Sequence, residues 1–122
     1  MATKRAKVEE DPSVTLFREY LRIKTVQPDP DYESAIIFLE KIAQDLDLPC
    51  KRVKGSSGDT VAVVITWEGT DPSLPSIILN SHMDVVPVFP EHWTYEAFSA
   101  HKTENGDIYA RGSQDMKCVG IQ

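Results

Sequence analysis

The spacing of apolar residues changes near residue 50, from a helical period before it to short β-branched runs after it. Residues 13–25 carry one apolar stripe, and residues 32–46 carry a second stripe that ends before Pro49. Ser13 is the predicted N-cap of the first helix, and Asp31 is the predicted N-cap of the second. The chain is therefore predicted to open with two helices.

Strand signals follow the helices. The β-branched runs Val61–Ile65 and Ser76–Leu79 are typical of buried strands. Lys102–Ala110 is predicted to be a hairpin that turns at Asn105-Gly106, because Asn-Gly is the strongest short hairpin signal. Residues 116–122 have the pattern of the start of another helix. The order of these elements predicts an α/β fold with a mixed sheet between helices, truncated before the sheet is complete.

Composition limits the classes of partner. The 122 residues are 41% hydrophobic and 26% charged, which suits one globular domain. The formal net charge of −6 disfavours a nucleic-acid or anionic-membrane partner. No apolar run approaches the roughly 20 residues of a membrane span, so no membrane partner is expected. Residues 1–11, with the basic cluster Lys4–Lys7, are predicted to be a flexible tail, and residues 12–122 to be the folded part.

The cysteines indicate the compartment. Cys50 and Cys118 lie far apart and form no CxxC pair, so we predict two free thiols. The N-terminal region has no apolar segment of the kind found in a secretory signal. Both observations predict a cytoplasmic location.

The segment LNSHMDVVPV, residues 79–88, interrupts an apolar stretch with a histidine and an aspartate. His82 and Asp84 project from one face of an extended chain. An imidazole can bind a divalent metal through one nitrogen while a carboxylate accepts the N–H of the other nitrogen. Asp115, at the next strand-to-helix junction, could reach the same crevice and bridge two metal ions in a hydrolase. Spacing alone leaves two alternatives open, a structural histidine with a hydrogen-bond partner and Asp115 as a helix N-cap.

Three stretches closely resemble the family of co-catalytic zinc carboxypeptidases and deacylases, in particular its N-acyl-amino-acid amidohydrolases. They read PSVTLFREYLRIKTVQPDPDYESA, LNSHMDVVPVFPEHW and IYARGSQDMKCVGIQ. The resemblance covers nearly the whole chain after about residue 11, and its motifs S-H-x-D-V-V-P-V and A-R-G-x-Q-D-M-K are specific. It implies that residues 12–122 are the N-terminal part of a catalytic metal-binding domain. It also implies a lid or dimerisation domain inserted later in the chain, and a homodimer.

The resemblance also implies roles for individual residues. His82 becomes a ligand of one zinc, Asp115 becomes the carboxylate that bridges two zinc ions, and Asp84 becomes the catalytic carboxylate that orients the imidazole. The implied reaction is hydrolysis of an N-acyl-L-amino acid to a free amino acid and a carboxylate by a water that two Zn²⁺ activate. The family also needs a general-base glutamate and further ligands downstream, so the 122-residue chain alone is expected to be inactive.

Two other functions stay open. The chain could be a non-catalytic short product that binds metal weakly or pairs with a partner chain. It could also derive from a related zinc dipeptidase or carboxypeptidase, since H-x-D and G-x-x-D motifs recur in that family. The segments TLFREYLRIKTVQP and VVPVFPEHW favour the amidohydrolase. The other histidines, His92 and His101, are not expected to be ligands.

Overall fold

The structure is a computed structural model that describes residues 9–122. In chain order the elements are α1 (Pro12–Arg22), α2 (Tyr32–Asp45), β1 (Cys50–Lys54), β2 (Val61–Ile65), a 3-10 turn (Pro90–His92), β3 (His101–Lys102), β4 (Ile108–Tyr109) and α3 (Met116–Ile121). This combination of helices and strands confirms the predicted α/β class. The strands form two separate antiparallel pairs, β1–β2 and β3–β4, and no continuous mixed sheet joins them within residues 9–122.

Both long helices begin at an aspartate. The Asp11 carboxylate accepts a hydrogen bond from the Ser13 backbone N–H at 2.8 Å, so the prediction that Ser13 caps α1 was wrong. Asp31 accepts the Ser34 backbone N–H at 3.1 Å, as predicted. Pro12 occupies the first turn of α1, where its missing N–H removes a donor that has no partner inside the helix.

Glu10 joins the beginning of the described chain to α1 and β3. Its carboxylate accepts hydrogen bonds from Thr15 at 2.7 Å, Arg18 at 2.7 Å and Lys102 at 3.2 Å. The Thr15 hydroxyl, with Arg18 and Lys102, lowers the pKa of Glu10 to about 2. Residues 1–8 of the predicted tail lie outside the described residues, whereas Glu10 has defined contacts.

We expect Glu10→Gln to make the stability of the chain less sensitive to acid. The pKa of Glu10 is lower in the folded chain than its ordinary 4.5. Its stabilising contribution is therefore present above about pH 4.5 and is lost as the pH falls towards about 2. Thermal melts across this range should show a smaller fall in melting temperature for the variant, with Glu9→Gln as the control. Parallel curves for wild type and Glu10→Gln would contradict this expectation.

Two small apolar clusters hold the central loops. Leu21, Ala100 and Ala110 form the first, with Phe17 and Ile108 packed against it, and this cluster joins α1 to the β3–β4 hairpin. Val85, Ala97 and Phe98 form the second, with Val26, Val88 and Trp93 packed against it.

The chain around Val85 is also hydrogen-bonded to the segment after α1. Val85 N–H donates to the Thr25 carbonyl at 2.9 Å, and the Gln27 N–H donates to the Val85 carbonyl at 3.1 Å. These two hydrogen bonds attach the backbone of Val85, three residues after His82, to the segment that follows α1.

The strand predictions were partly right. The bounds of β2 match the predicted run, but β2 is largely exposed instead of buried. The predicted strand Ser76–Leu79 is absent, and Ile77, Ile78 and Leu79 are 89%, 85% and 94% exposed. β1 was not predicted, because its sequence CKRVK has a single large aliphatic residue.

The C-terminal predictions were confirmed. β3 and β4 pair antiparallel around a turn in which Gly106 has a φ of +95°. This left-handed conformation explains the glycine of the Asn-Gly signal. α3 then begins directly after Asp115, as expected. None of the helices in the described part of the chain has the length and hydropathy to span a membrane.

Candidate metal centre

The imidazole of His82 is held from one side by Asp84. Its Nδ1 lies 3.0 Å from the Asp84 backbone carbonyl and 3.2 Å from the Asp84 Oδ1. Both partners are acceptors, so this contact assigns the proton to Nδ1 when the ring is neutral. Nε2 then carries the free lone pair, which is the form that binds a metal.

His82 Nε2 faces Asp115. The distance from Nε2 to the Asp115 Oδ1 is 3.7 Å, which is too long for a hydrogen bond. Two donors on one tetrahedral zinc lie about 3.4 Å apart, because each bond is about 2.1 Å long. The separation therefore suits an ion bound between the two side chains.

The Asp115 carboxylate is not used in capping. Asp115 occupies the N-cap position of α3, yet its side chain accepts no capping hydrogen bond. About half of each side chain is exposed, 58% for Asp115 and 50% for His82. The Asp115 carboxylate therefore remains accessible to a ligand. A capping role does not explain why an aspartate occupies this position.

Asp84 has a further partner that the sequence did not indicate. Its Oδ2 accepts a hydrogen bond from Gln27 Nε2 at 3.2 Å, while Oδ1 lies beside His82. Gln27 itself is placed by its backbone bond to Val85 and by the parallel bridge between Val26 and Val85. The two oxygens of Asp84 are thus oriented by different parts of the fold. Gln27 carries no motif, so only the tertiary structure reveals its contact.

The segments that carry His82 and Asp115 are joined by Ser81. Its hydroxyl donates to the Met116 carbonyl at 2.7 Å, which links the residue before His82 to the residue after Asp115. Gly120 lies one turn further along α3, and a Cβ there would come within 2.9 Å of the Ser81 Oγ. Ser81 and α3 are therefore in close contact.

Lys117 anchors α3 to the end of α1. The side chain is 1% exposed, and its Nζ donates to the carbonyls of Tyr20 at 2.9 Å and Ile23 at 2.8 Å. Nζ also lies 4.8 Å from the centroid of the Tyr20 ring. Burial lowers the pKa of Lys117 to about 8, so the amine is mostly protonated at neutral pH. A cation at the C-terminal end of α1 complements the negative end of the helix dipole.

His82 and Asp115 could supply part of a metal site. Within residues 9–122, no group of three or more His, Cys, Asp or Glu side chains is arranged to hold an ion. His101 stacks on Tyr95 with ring centroids 3.8 Å apart, and His92 lies against Phe89. That neither histidine binds a metal stays a prediction. Cys50 and Cys118 are free thiols, as predicted.

A cleft of about 270 Å³ has Asp115 in its lining. The cleft is lined by the turn Ala110–Asp115 and by Val85 and Val86. The backbone of Gly112 has a φ of +89° and packs against Val85. The cleft therefore lies between the segment that follows Asp84 and the turn that leads to Asp115.

Comparison with known families assigns a class to this region. The family model described as peptidase family M20/M25/M40 matches residues 78–122. These residues include His82, Asp84, Asp115 and the whole cleft. This part of the chain is therefore similar to the M20/M25/M40 peptidase family.

Individual relatives extend the similarity to nearly the whole chain. The chain is 58% identical over 120 residues to aminoacylase-1 of Homo sapiens, covering 98% of this chain and 29% of the human protein. It is 63% identical over 113 residues to aminoacylase-1 of Mus musculus, covering 93% and 28%. It is 44% identical over 115 residues to aminoacylase-1 of Dictyostelium discoideum, covering 94% and 28%. The chain is thus related to the aminoacylase-1 proteins and spans less than a third of their length.

On the prediction that His82 and Asp115 bind zinc, we expect Ser81→Ala to weaken this binding without removing either side chain. Loss of the hydroxyl breaks the link to the Met116 carbonyl and lets the pair His82 and Asp115 separate. Loss of a group that orients metal ligands typically costs 10- to 100-fold in metal affinity. Competition of the protein with a chelator for zinc would measure the change, and Ser73→Ala, in an exposed loop, is the matched control. Equal zinc affinity in Ser81→Ala and Ser73→Ala would contradict the expectation.

Proposed function

We propose that this chain is part of a zinc-dependent aminoacylase that hydrolyses N-acyl-L-amino acids to a free amino acid and a carboxylate. The observation that carries the proposal is the facing pair His82 Nε2 and Asp115 Oδ1, 3.7 Å apart, beside a cleft. Identity of 58% and 63% to the human and mouse aminoacylase-1 proteins favours an aminoacylase substrate over a peptide.

Three residues of this chain would serve the metal. His82 would bind one zinc through Nε2, and Asp115 would bridge it to a second zinc. Asp84 would hold the imidazole in the tautomer and orientation that this requires. When bound, the two zinc ions supply Lewis acidity that polarises the scissile carbonyl and lowers the pKa of a water.

The described residues supply fewer donors than catalysis needs. A catalytic zinc normally has three protein ligands and one open position, and His82 and Asp115 provide two donors here. None of the described carboxylates is yet assigned as the general base. We therefore propose that the 122-residue chain alone has no turnover. A homodimer and a cytoplasmic location remain predictions for the longer protein.

Two preparations would test the proposed function. The first is the 122-residue chain alone, and the second is a chimera in which it replaces the matched 120 residues of human aminoacylase-1. We expect the chimera to hydrolyse N-acetylmethionine and to lose this activity when zinc is removed. We expect the chain alone, with zinc added, to show no turnover.

Two results would overturn this assignment. Substantial turnover by the chain alone would show that its site is complete. A chimera that folds and binds zinc but cleaves dipeptides instead of N-acetylmethionine would favour the related dipeptidase.

A further inference from the structure

The segment that follows α1 holds the backbone on both sides of Asp84. The hydroxyl of Thr25, which is fully buried, donates to the Met83 carbonyl at 2.6 Å. The Thr25 carbonyl accepts the Val85 N–H at 2.9 Å, and the Gln27 N–H donates to the Val85 carbonyl at 3.1 Å. Three hydrogen bonds from this segment therefore fix the residues immediately before and after Asp84.

The side chain of Gln27 reaches the Asp84 carboxylate from the same segment. Its Nε2 donates to Asp84 Oδ2 at 3.2 Å and makes a longer contact of 3.4 Å with the hydroxyl oxygen of Tyr32. An ionised carboxylate only accepts hydrogen bonds, so the nitrogen of the amide, and not its oxygen, must face Asp84. The two N–H groups of Gln27 thus have separate partners, and the amide has one preferred orientation.

Tyr32, the first residue of α2, supports Gln27 without adding a charge. Partial burial and the negative charge of Asp84 raise the pKa of Tyr32 above its ordinary value. The hydroxyl therefore stays protonated at neutral pH, and a lone pair of its oxygen accepts the second N–H of Gln27.

The Asp84 carboxylate needs a partner on each oxygen to keep one orientation. Rotation about the bond to a carboxylate group has only a broad preference, and the Asp84 side chain is 38% exposed, so packing alone does not hold it. Oδ1 lies 3.2 Å from His82 Nδ1, while Oδ2 is bonded to Gln27. Without Gln27, the carboxylate could turn and move Oδ1 away from the imidazole.

We propose that Gln27 is a positioning residue of the candidate metal centre, which acts through Asp84 to orient the imidazole of His82. This inference rests on the proposed function and extends the site to the segment between α1 and α2. Gln27 supplies no metal ligand, since its N–H groups are directed to Asp84 and Tyr32. Its role is to fix Oδ2, so that Oδ1 stays beside Nδ1 and Nε2 keeps facing Asp115.

Gln27→Met in the chimera removes both N–H groups and nearly keeps the length of the side chain. We expect zinc affinity, measured by competition with a chelator, to fall about 10-fold, the lower end of the range for groups that orient metal ligands. The melting temperature of the zinc-free chimera should change little, because Gln27 is exposed. Gln44→Met, at an exposed position of α2, is the matched control and should keep the wild-type zinc affinity.

A double-mutant cycle with Asp84→Ala shows whether Gln27 acts through Asp84. In the Asp84→Ala background, Gln27→Met should lower zinc affinity by less than about twofold, because the carboxylate that Gln27 holds is already gone. Equal losses of affinity in the two backgrounds would assign Gln27 a separate structural role and overturn the inference. An unchanged zinc affinity in the single variant Gln27→Met would overturn it too.

A second measurement needs neither zinc nor substrate. NMR of isotope-labelled histidine nitrogens, at a pH where the ring is neutral, reports the tautomer of His82 in the zinc-free chimera, and His82→Asn identifies its signal. Gln27→Met should lower the fraction of the Nδ1–H tautomer, and Gln44→Met should leave it unchanged. A wild-type chimera that neither binds zinc nor hydrolyses N-acetylmethionine would overturn the proposed function. The tautomer measurement would still decide the role of Gln27 in that case.

Discussion

Replacement of Asp115 by alanine in the chimera is expected to abolish hydrolysis and to reduce the zinc content. The carboxylate faces His82 Nε2 at 3.7 Å and makes no capping bond that would give it another use. Even groups that only orient metal ligands change metal affinity 10- to 100-fold, so loss of the proposed bridging carboxylate should lower activity more than about 100-fold. Metal analysis of the dialysed protein and kinetics with N-acetylmethionine measure the two effects.

Two variants separate the ligand role from folding. Asp115→Asn preserves the shape of the side chain and removes its charge, so it should lose zinc while keeping the melting behaviour. Asp59→Ala removes an exposed carboxylate from a distant loop and should leave both activity and zinc content unchanged. An Asp115→Ala protein that retains both zinc ions and a normal rate would leave Asp115 as a helix N-cap only.

Replacement of Gly112 by alanine is expected to destabilise the fold and disturb the metal pair together. Gly112 has a φ of +89°, a conformation that costs other residues about 1–2 kcal/mol. A Cβ here would also lie 2.9 Å from Cγ1 of the buried Val85, which cannot easily move. Overpacking of this kind typically adds about 1–3 kcal/mol, so the total loss should be about 2–5 kcal/mol. Denaturant unfolding of the chimera measures it.

Gly106 gives the control that isolates the backbone effect. Its φ is +95°, but a Cβ at this position would meet nothing within 4 Å. Gly106→Ala should therefore lose only about 1–2 kcal/mol and should keep the wild-type zinc affinity. Gly112→Ala should weaken zinc binding as well, because the displaced turn leads directly to Asp115. Similar effects of the two variants on stability and zinc affinity would contradict the importance of the contact with Val85.

The features that the sequence predicted correctly are those set by neighbouring residues. α2 begins after Asp31 because that side chain caps it, and the β3–β4 hairpin turns where Gly106 permits a positive φ. The contact between His82 and Asp84 is likewise local, since the Asp84 carbonyl lies two residues from the imidazole. That these residues serve a metal stays a prediction. Short-range chemistry of this kind is present in the sequence itself. The M20/M25/M40 match confirms the class of protein that the motifs indicated.

The remaining features depend on contacts between distant residues. The hydroxyl of Ser81 meets the carbonyl of Met116 thirty-five positions away, and Lys117 reaches carbonyls of α1 more than ninety positions away. A lysine two residues into a helix would ordinarily be expected in solvent. β1 also depends on distant contacts. It pairs with β2, and its Arg52 forms ion pairs with Glu33 and Glu40, whereas its sequence lacks the run of β-branched residues that would indicate a strand. These pairings cannot be predicted from local sequence patterns or from secondary-structure propensity.

The exposed apolar run Ile77–Leu79 also has a kinetic consequence. Three consecutive large aliphatic side chains stand in solvent, and their backbone is not paired in any strand of the described fold. Such a segment has the composition of short stretches that stack between chains into cross-β assemblies. Encounters between chains rise with the square of concentration, whereas folding does not depend on it. The isolated chain is therefore expected to aggregate faster as its concentration rises, with assembly beginning at these three residues.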